Sequence, residues 1–225
     1  MVSDIFFNTS IINMSNGRND SMQVDVTENC EAEENSVPAM TCCPRSKVRR
    51  GTKRASYDRA RVYALIDRLK TGHIAFVEEG EPRCIPITLW RHENDLYVHV
   101  LNGGRMSKVM GSGQQLCISF AVTDEWVLSK SAYHHSANYE SAVLYGKAER
   151  VTDKQTFNDA FEAVINQFEP GRWDQVREPS DKERKSTALF RIPIEEGSYK
   201  ARTGGPNEEP EDLSLPVWNG VIPAQ

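Results

Sequence analysis

Residues 72–101 read GHIAFVEEGEPRCIPITLWRHENDLYVHVL. Apolar and polar residues alternate there in three runs, His73–Glu78, Arg83–Trp90 and Leu96–Leu101. A period of two marks strands that turn one face to a core. Glu79-Gly80 reads as the short turn of a hairpin between the first two runs, and His92–Asp95 as a polar turn before the third. Ile85, Ile87 and Leu89 share one face of the second strand. Leu96, Val98 and Val100 share one face of the third, with Tyr97, His99 and Leu101 on the other. Pro86 has no amide hydrogen, which places its strand at a sheet edge.

Helices flank these strands. Val62, Leu65, Ile66 and Leu69 recur at i, i+3, i+4 and i+7, predicting an amphipathic helix opened by Ser56 and stopped by Gly72. Asn102-Gly103-Gly104 breaks the third strand, and Arg105–Met110 reads as a short helix. Gln115–Val122 and Glu125–Lys130 read as two strands around Thr123-Asp124, and Ser141–Val151 as another. Thr152 and Gln155 have the spacing of a capping box. The stripe behind them, Phe157, Ala160, Phe161, Val164, Ile165 and Phe168, reads as core and ends at Pro170-Gly171. Ser180 with Glu183 opens a short helix, and Ala188–Ile194 is the last expected strand. The sum is an α+β, mainly β fold: six or seven mostly antiparallel strands with flanking helices, closed into a barrel to hide the sheet edges.

The chain has 225 residues and a net charge of −5, which argues against a general nucleic-acid binder. Residues 1–48, rich in Asn, Ser and Glu at no period, are expected to be a flexible tail, with one domain over 49–225. The tail's apolar residues are too broken for a secretory signal, and no apolar run approaches the roughly 20 residues of a membrane span. The basic run Arg45, Lys47, Arg49, Arg50, Lys53 and Arg54 reads as a solvated linker. Cys30, Cys42, Cys43, Cys84 and Cys117 show no metal-ligand spacing, so a reducing, cytoplasmic compartment and no metal site are expected.

Four stretches carry possible chemistry. In Gly103–Lys108, glycines and a helix start precede Arg105 and Lys108, a combination suited to a phosphate monoester, although neither P-loop nor GxGxxG spacing is present. Pro86–Thr88 with His99 could set backbone amides and an imidazole around a planar ligand. In SAYHHSANYESAVLYG, residues 131–146, adjacent His134 and His135 diverge and do not chelate one metal, while Asn138, Tyr139 and Ser141 are hydrogen-bonding and stacking groups. Trp218, in PVWNGVIP at 216–223, either anchors the chain end or covers a pocket or subunit boundary.

Taken in order, these segments resemble the pyridoxamine 5′-phosphate oxidase-like FMN-binding split-barrel proteins, in the branch with nitroimidazole-resistance reductases. The resemblance runs from about Arg49 to Pro223. It is carried by RASYDRARVYALID at 54–67, GHIAFV at 72–77, IPITLW at 85–90, LYVHVLNGGRMSK at 96–108, SAYHHSANYESAVLYGKAERV at 131–151, EPGRWDQVREPSDKE at 169–183, IPIEEGSYKARTGGPNEEPED at 192–212 and PVWNGVIP at 216–223. It implies a six-stranded split β-barrel working as a homodimer, with FMN at the subunit interface. Arg105, Met106, Ser107 and Lys108 fall where the family grips the phosphate. Ile85, Pro86, Ile87, Thr88, Val98 and His99 fall on the ring-lining strands. Asn138, Tyr139 and Ser141 fall on the cofactor-side segment, and Trp218 near a tryptophan beside the flavin. The chain departs from the family at Gly104, where a serine is usual, and at Glu140, which replaces an arginine.

The implied function is an FMN-dependent oxidoreductase acting on a small molecule, with no nucleic-acid or membrane partner. Two alternatives stay open: a non-catalytic FMN-binding module, and a haem-binding split barrel using His134 or His135.

Overall fold

Alternating apolar side chains pair the strands of this computed structural model, which describes residues 38–224, into two antiparallel sheets. Along the chain β1 (Ala55–Ser56) leads into α1 (Arg59–Leu69), β2 (Thr71–Glu78), β3 (Glu81–Thr88), β4 (Trp90–His92) and β5 (Asp95–Leu101). Then come α2 (Arg105–Gly111), β6 (Leu116–Leu128), β7 (Ser136–Gly146), β8 (Glu149–Arg150) and α3 (Lys154–Phe168). α4 (Asp181–Ser186), β9 (Thr187–Pro193), β10 (Glu196–Arg202) and β11 (Gly220–Pro223) complete the order. The first sheet runs β1-β10-β7-β6-β2-β3 with β11 added on β6; the second runs β4-β5-β9-β8. The fold is α+β and mainly β, as expected. The architecture is that of a split barrel; the expected closure is what changes, because β3 ends at Thr88 and β4 starts the other sheet at Trp90, so the two ladders share a core without closing.

That core lies between the sheets and under α1. Ile74, Phe76, Leu96, Val98, Ile118, Phe120 and Phe190 meet Val62, Leu65 and Ile66 there, all buried. Each large apolar side chain so buried contributes about 1.5–3 kcal/mol relative to exposure. A second cluster forms on the far side of the smaller sheet, where Trp90, Tyr97 and Leu189 pack on Phe157, Ala160 and Val164 of α3. The Trp90 indole N–H donates to the Ala160 carbonyl at 2.8 Å, so the largest buried ring carries no orphaned donor.

Local chemistry sets the element boundaries. Glu79 and Gly80 both have left-handed φ, 54° and 80°, which a two-residue hairpin turn requires. α1 starts at Asp58, whose carboxylate accepts from the Ala60 amide, and ends at Lys70 in the left-handed region. Ser56 instead pairs with Tyr199, and Gly72 lies inside β2. A Cβ on Gly72 would sit 2.8 Å from both Leu89 Cδ1 and Phe120 Cε1, so close packing requires that glycine. Asp153 caps α3 by accepting from the Thr156 amide, displacing the expected Thr152 box, whereas the Ser180–Glu183 box forms as read.

Three strand expectations change. The two strands around Thr123-Asp124 are one, β6, bulged between Thr123 and Glu125. β7 begins at Ser136 rather than Ser141, and β10 and β11 were not anticipated. Residues 1–37 of the expected tail lie outside the described residues. Its remainder is bound into the fold. Met40 is 4% exposed, its amide donates to the Tyr57 carbonyl, and Thr41 bridges Glu196. Arg45 Nε donates to Glu196 at 2.7 Å, and the Cys43 thiol reaches the same carboxylate. Residues 40–46 therefore pack on the strands that follow. No helix among the described residues is long and apolar enough to cross a membrane.

Candidate functional site

Alternation along the strands sorts the candidate residues into two sets. Ile85 and Ile87 of β3 pack against the main core, and Val98 is fully buried in it. Pro86, Thr88 and His99 point the other way and are exposed. On α2, Ser107 is buried and Met106 packs on the core, while Arg105 and Lys108 reach solvent. The outward set of the first two stretches is thus Pro86, Thr88, His99, Arg105 and Lys108.

Arg105 leans back on the β2–β3 hairpin. Its guanidinium pairs with Glu78 and lies 5.7 Å from the Phe76 ring centre. Arg83 approaches the same carboxylate at 4.0 Å. Glu78 thus sits between two guanidiniums, as an anion would. Arg83 was missed by sequence reasoning, although counting the hairpin register from Gly80 sets it opposite Phe76. A Cβ on Gly104 would lie 3.0 Å from the Leu101 carbonyl oxygen, so the residue before Arg105 has little room to be a serine here.

From Glu81, opposite Glu78, to Ile85–Thr88 the hairpin runs four to seven residues, about 13–23 Å. Arg83 and Arg105 meet at the inner-face end, and Pro86 and Thr88 lie on the outer face. A ligand touching both must run along the edge of β3, which among the described residues has no strand partner beyond β2 in its sheet. An unpaired strand edge offers free amides and carbonyls, and Pro86 marks it as the sequence implied.

The β7 residues divide differently. Asn138 is buried, its amide group donating to Glu125 at 2.7 Å and accepting from Arg202 Nη1 at 2.5 Å. Arg202, itself buried, also donates to the carbonyls of Gly204 and Gly205. Asn138 therefore holds a loop. Ser141 donates to the Lys200 carbonyl at 3.2 Å. Continuing the β2–β6 register by two residues puts Ser141 in one row with Thr88, three strands away, about 14 Å. Tyr139 is half-buried one step beyond. Glu140 accepts from the Tyr199 hydroxyl at 2.7 Å and pairs with Arg68 at 3.1 Å, so its reversed charge is matched inside the fold. Burial, and then that hydrogen bond, push the Tyr199 hydroxyl up to about 12.

His134 and His135 leave the strand. His134 Nε2 lies 3.6 Å from Glu209, and His135 Nδ1 is 3.0 Å from the Ser131 carbonyl. Trp218 is 63% exposed beside β11, which pairs with the last residues of β6, whereas α2 precedes its first. Within one chain Trp218 is not brought to Arg105.

His99 turns toward α3. Its ring centre is 5.6 Å from that of Phe161 and 5.9 Å from that of Trp90, and partial desolvation by these two rings holds the imidazole below its ordinary range. Beyond Phe161 opens a cavity of about 400 Å³, walled by Phe157, Ile165, Trp173, Val176 and Thr187. Of the α3 stripe, Phe157, Ala160 and Val164 are buried core and Phe161 and Ile165 pack against them, but Phe157, Phe161 and Ile165 also line this space and Phe168 is exposed. Only the fold of 173–179 over the helix reveals it.

Comparison with known proteins follows this geometry. A family profile described as pyridoxamine 5′-phosphate oxidase matches residues 58–201. The chain is 32% identical to the flavocytochrome Anf3 from Azotobacter vinelandii, covering 81% of this chain and 85% of that one, with a TM-score of 0.76. It is 28% identical to the FAD and haem binding protein from Mycobacterium smegmatis, covering 76% and 83%, with a TM-score of 0.72. A candidate 5-nitroimidazole antibiotic resistance protein from Bacteroides thetaiotaomicron shares the fold, at 19% identity over 65% and 85% with a TM-score of 0.55. A search of curated proteins gives no match.

Proposed function

The chain belongs to the pyridoxamine 5′-phosphate oxidase family, and on that basis we propose that it is a flavin-dependent oxidoreductase acting on a small molecule. The observation that carries this reading is the free edge of β3 running from Pro86 and Thr88 to the cationic end at Arg83, Arg105 and Lys108. The donor set fits a flavin nucleotide. Edge amides suit the polar rim of the ring, and guanidiniums suit phosphate oxygens. A bound flavin would supply hydride and single-electron transfer. The protein's part is to hold the ring along the edge and to draw phosphate into the place Glu78 now occupies. FMN is the form the sequence resemblance implies, whereas the Mycobacterium smegmatis relative is an FAD binder by name.

A second copy of the chain completes the proposal. The outer face of the larger sheet carries small side chains, Ala75, Cys117, Ser119 and Ala121, none fully buried. A homodimer across that face would carry Tyr139, Ser141 and Trp218 toward the partner's β3 edge. The free thiols at Cys42, Cys43, Cys84 and Cys117 suit a cytoplasmic setting.

The test is titration of flavin-free protein with FMN and, separately, FAD, followed by quenching of flavin fluorescence. Binding is expected, and Arg105→Ala with Lys108→Ala should weaken it by about 10–100-fold per residue, from roughly 1.5–3 kcal/mol per charged hydrogen bond. Absence of binding to either nucleotide, or unchanged affinity in the double variant, overturns the reading.

Haem is proposed as a second cofactor. Two relatives of this chain are a flavocytochrome and an FAD and haem binding protein. The specific observation in this chain is an exposed imidazole, His99, packed on Phe161, whose ring lines the cavity under residues 173–179.

A further inference from the structure

We propose that a cleft at the β1 edge of the larger sheet binds a phosphorylated, hydroxyl-bearing small molecule. The site stands apart from the flavin edge, because the strand order puts β1 five strand spacings, about 24 Å along the sheet, from β3.

The basic run of the sequence builds one wall. Gly51, at a left-handed φ of 66°, leads into a single helical turn, Thr52–Arg54. β1 then pairs Ala55 with Lys200 and Ser56 with Tyr199, which holds Lys53 and Arg54 beside the end of β10. There they line one cleft with Arg61, from the first turn of α1. The cleft, about 440 Å³, lies within the range of small-molecule sites. Ser56, Tyr199 and Thr203 add hydroxyls and Glu140 a carboxylate, and the remaining lining is two alanines, Ala55 and Ala201. An apolar ligand finds no wall here.

Charge decides what does fit. Among the described residues Lys53 and Arg54 pair with no carboxylate, and Arg61 reaches one, Asp58, at 3.9 Å. Glu140 is matched elsewhere, by the Tyr199 hydroxyl and by Arg68. Three cations therefore converge without an equal counter-charge in a chain whose net charge is −5. A phosphate monoester carries roughly −1.5 to −2 at pH 7, and guanidiniums suit its oxygens. A nucleic acid or an anionic membrane would meet the negative charge of the whole chain, whereas a small ester meets the local cluster. Inorganic phosphate alone would leave the far wall unused. The Tyr199 hydroxyl, pushed up to about 12 chiefly by burial, stays protonated and keeps lone pairs free, as do the Glu140 oxygens. That wall accepts hydrogen bonds, so it suits a ligand body that donates them from hydroxyls. Glu140, where the chain departs from its family, then selects the ligand.

The experiment is calorimetric titration of the full chain with ribose 5-phosphate, inorganic phosphate and ribose as probes. Ribose 5-phosphate is expected to fill one saturable site, at least threefold more tightly than inorganic phosphate, with ribose alone not binding. Arg54→Met with Arg61→Met should lose at least tenfold in affinity for both phosphates. Glu140→Gln should bring ribose 5-phosphate down to the affinity of inorganic phosphate. Thermal transitions report the folding of each variant, and Thr203→Val on the same wall is the second variant if Glu140→Gln disturbs it. Arg105→Ala, at the flavin edge, should bind both phosphates as wild type does. No saturable binding of ribose 5-phosphate, or binding that survives the double variant but not Arg105→Ala, overturns the site. Tighter binding of a single-stranded RNA oligonucleotide or of phosphatidylserine vesicles through Arg54 and Arg61 overturns the small-molecule reading. Undiminished preference for ribose 5-phosphate in folded Glu140→Gln and Thr203→Val overturns the role given to the hydroxyl wall.

Discussion

Asn138→Ala tests whether this residue serves the fold or the cofactor. The side chain is 4% exposed and makes two hydrogen bonds to charged groups, Glu125 at 2.7 Å and Arg202 at 2.5 Å. A hydrogen bond to a charged group contributes roughly 1.5–3 kcal/mol, and stranding a buried guanidinium adds to the cost. Arg202 keeps the carbonyls of Gly204 and Gly205, and Glu125 can turn toward water, so the sum falls below the additive limit. The expected loss is about 2–4 kcal/mol. With a urea slope of about 2–3 kcal/mol/M, the unfolding midpoint of cofactor-free protein drops by about 1 M. Asn138→Asp should fare no better, because its carboxylate would face that of Glu125. Tyr139→Phe, on the opposite face of β7, should move the midpoint little. A midpoint within about 0.3 M of wild type for Asn138→Ala (about 0.6–0.9 kcal/mol at that slope), together with weakened flavin binding, would refute the structural role and return Asn138 to the cofactor.

Gly72→Ala should destabilise by about 1–3 kcal/mol, because the new methyl overlaps Leu89 and Phe120 in a filled core; calorimetry on cofactor-free protein measures it. Asp153→Ala should cost about 1 kcal/mol as a lost helix cap, while Thr152→Ala stays within about 0.5 kcal/mol, and the pair separates the observed cap from the one the spacing suggested. Glu196, held down to about 2 chiefly by its hydrogen bond to Arg45, stabilises the fold above the ordinary carboxylate range and loses that contribution as pH falls toward 2. Urea midpoints of wild type and Arg45→Met should therefore differ at pH 7 and converge between pH 4.5 and 2; a constant gap would contradict the linkage.

Where one force acts alone, the chain could be read directly. The β2–β3 hairpin, β5, α2 and the Ser180 box follow from alternation, glycine and a reciprocal cap, each local. Arg105 and Lys108 were legible for the same reason, since a helix start shows in three or four residues. β10 was missed because Glu196–Arg202 has lysine, arginine and glutamate within it, and its place between β1 and β7 depends on distant partners. The polarity of Asn138 signals a hydrogen bond without saying to what, and its partner Arg202 lies 64 residues away. The aromatic cavity was hidden by a true periodicity: the α3 stripe is wider than the sheet beneath it, and its surplus rings face residues 173–179.

The segment around Arg45 has a consequence for how the molecule is assembled in time. Arg45 and Glu196 are 151 residues apart, and β10 fills the slot between β1 and β7. During synthesis the early segment has no strand to clasp until nearly the whole polypeptide has emerged. High sequence separation of this kind slows folding, because loop closure precedes the contacts that reward it. A shortened chain beginning at residue 49 would lack Met40 in the core, the Thr41 bridge and the Arg45 clasp, and should refold with the Glu196 end of β10 uncovered and open to association with other molecules.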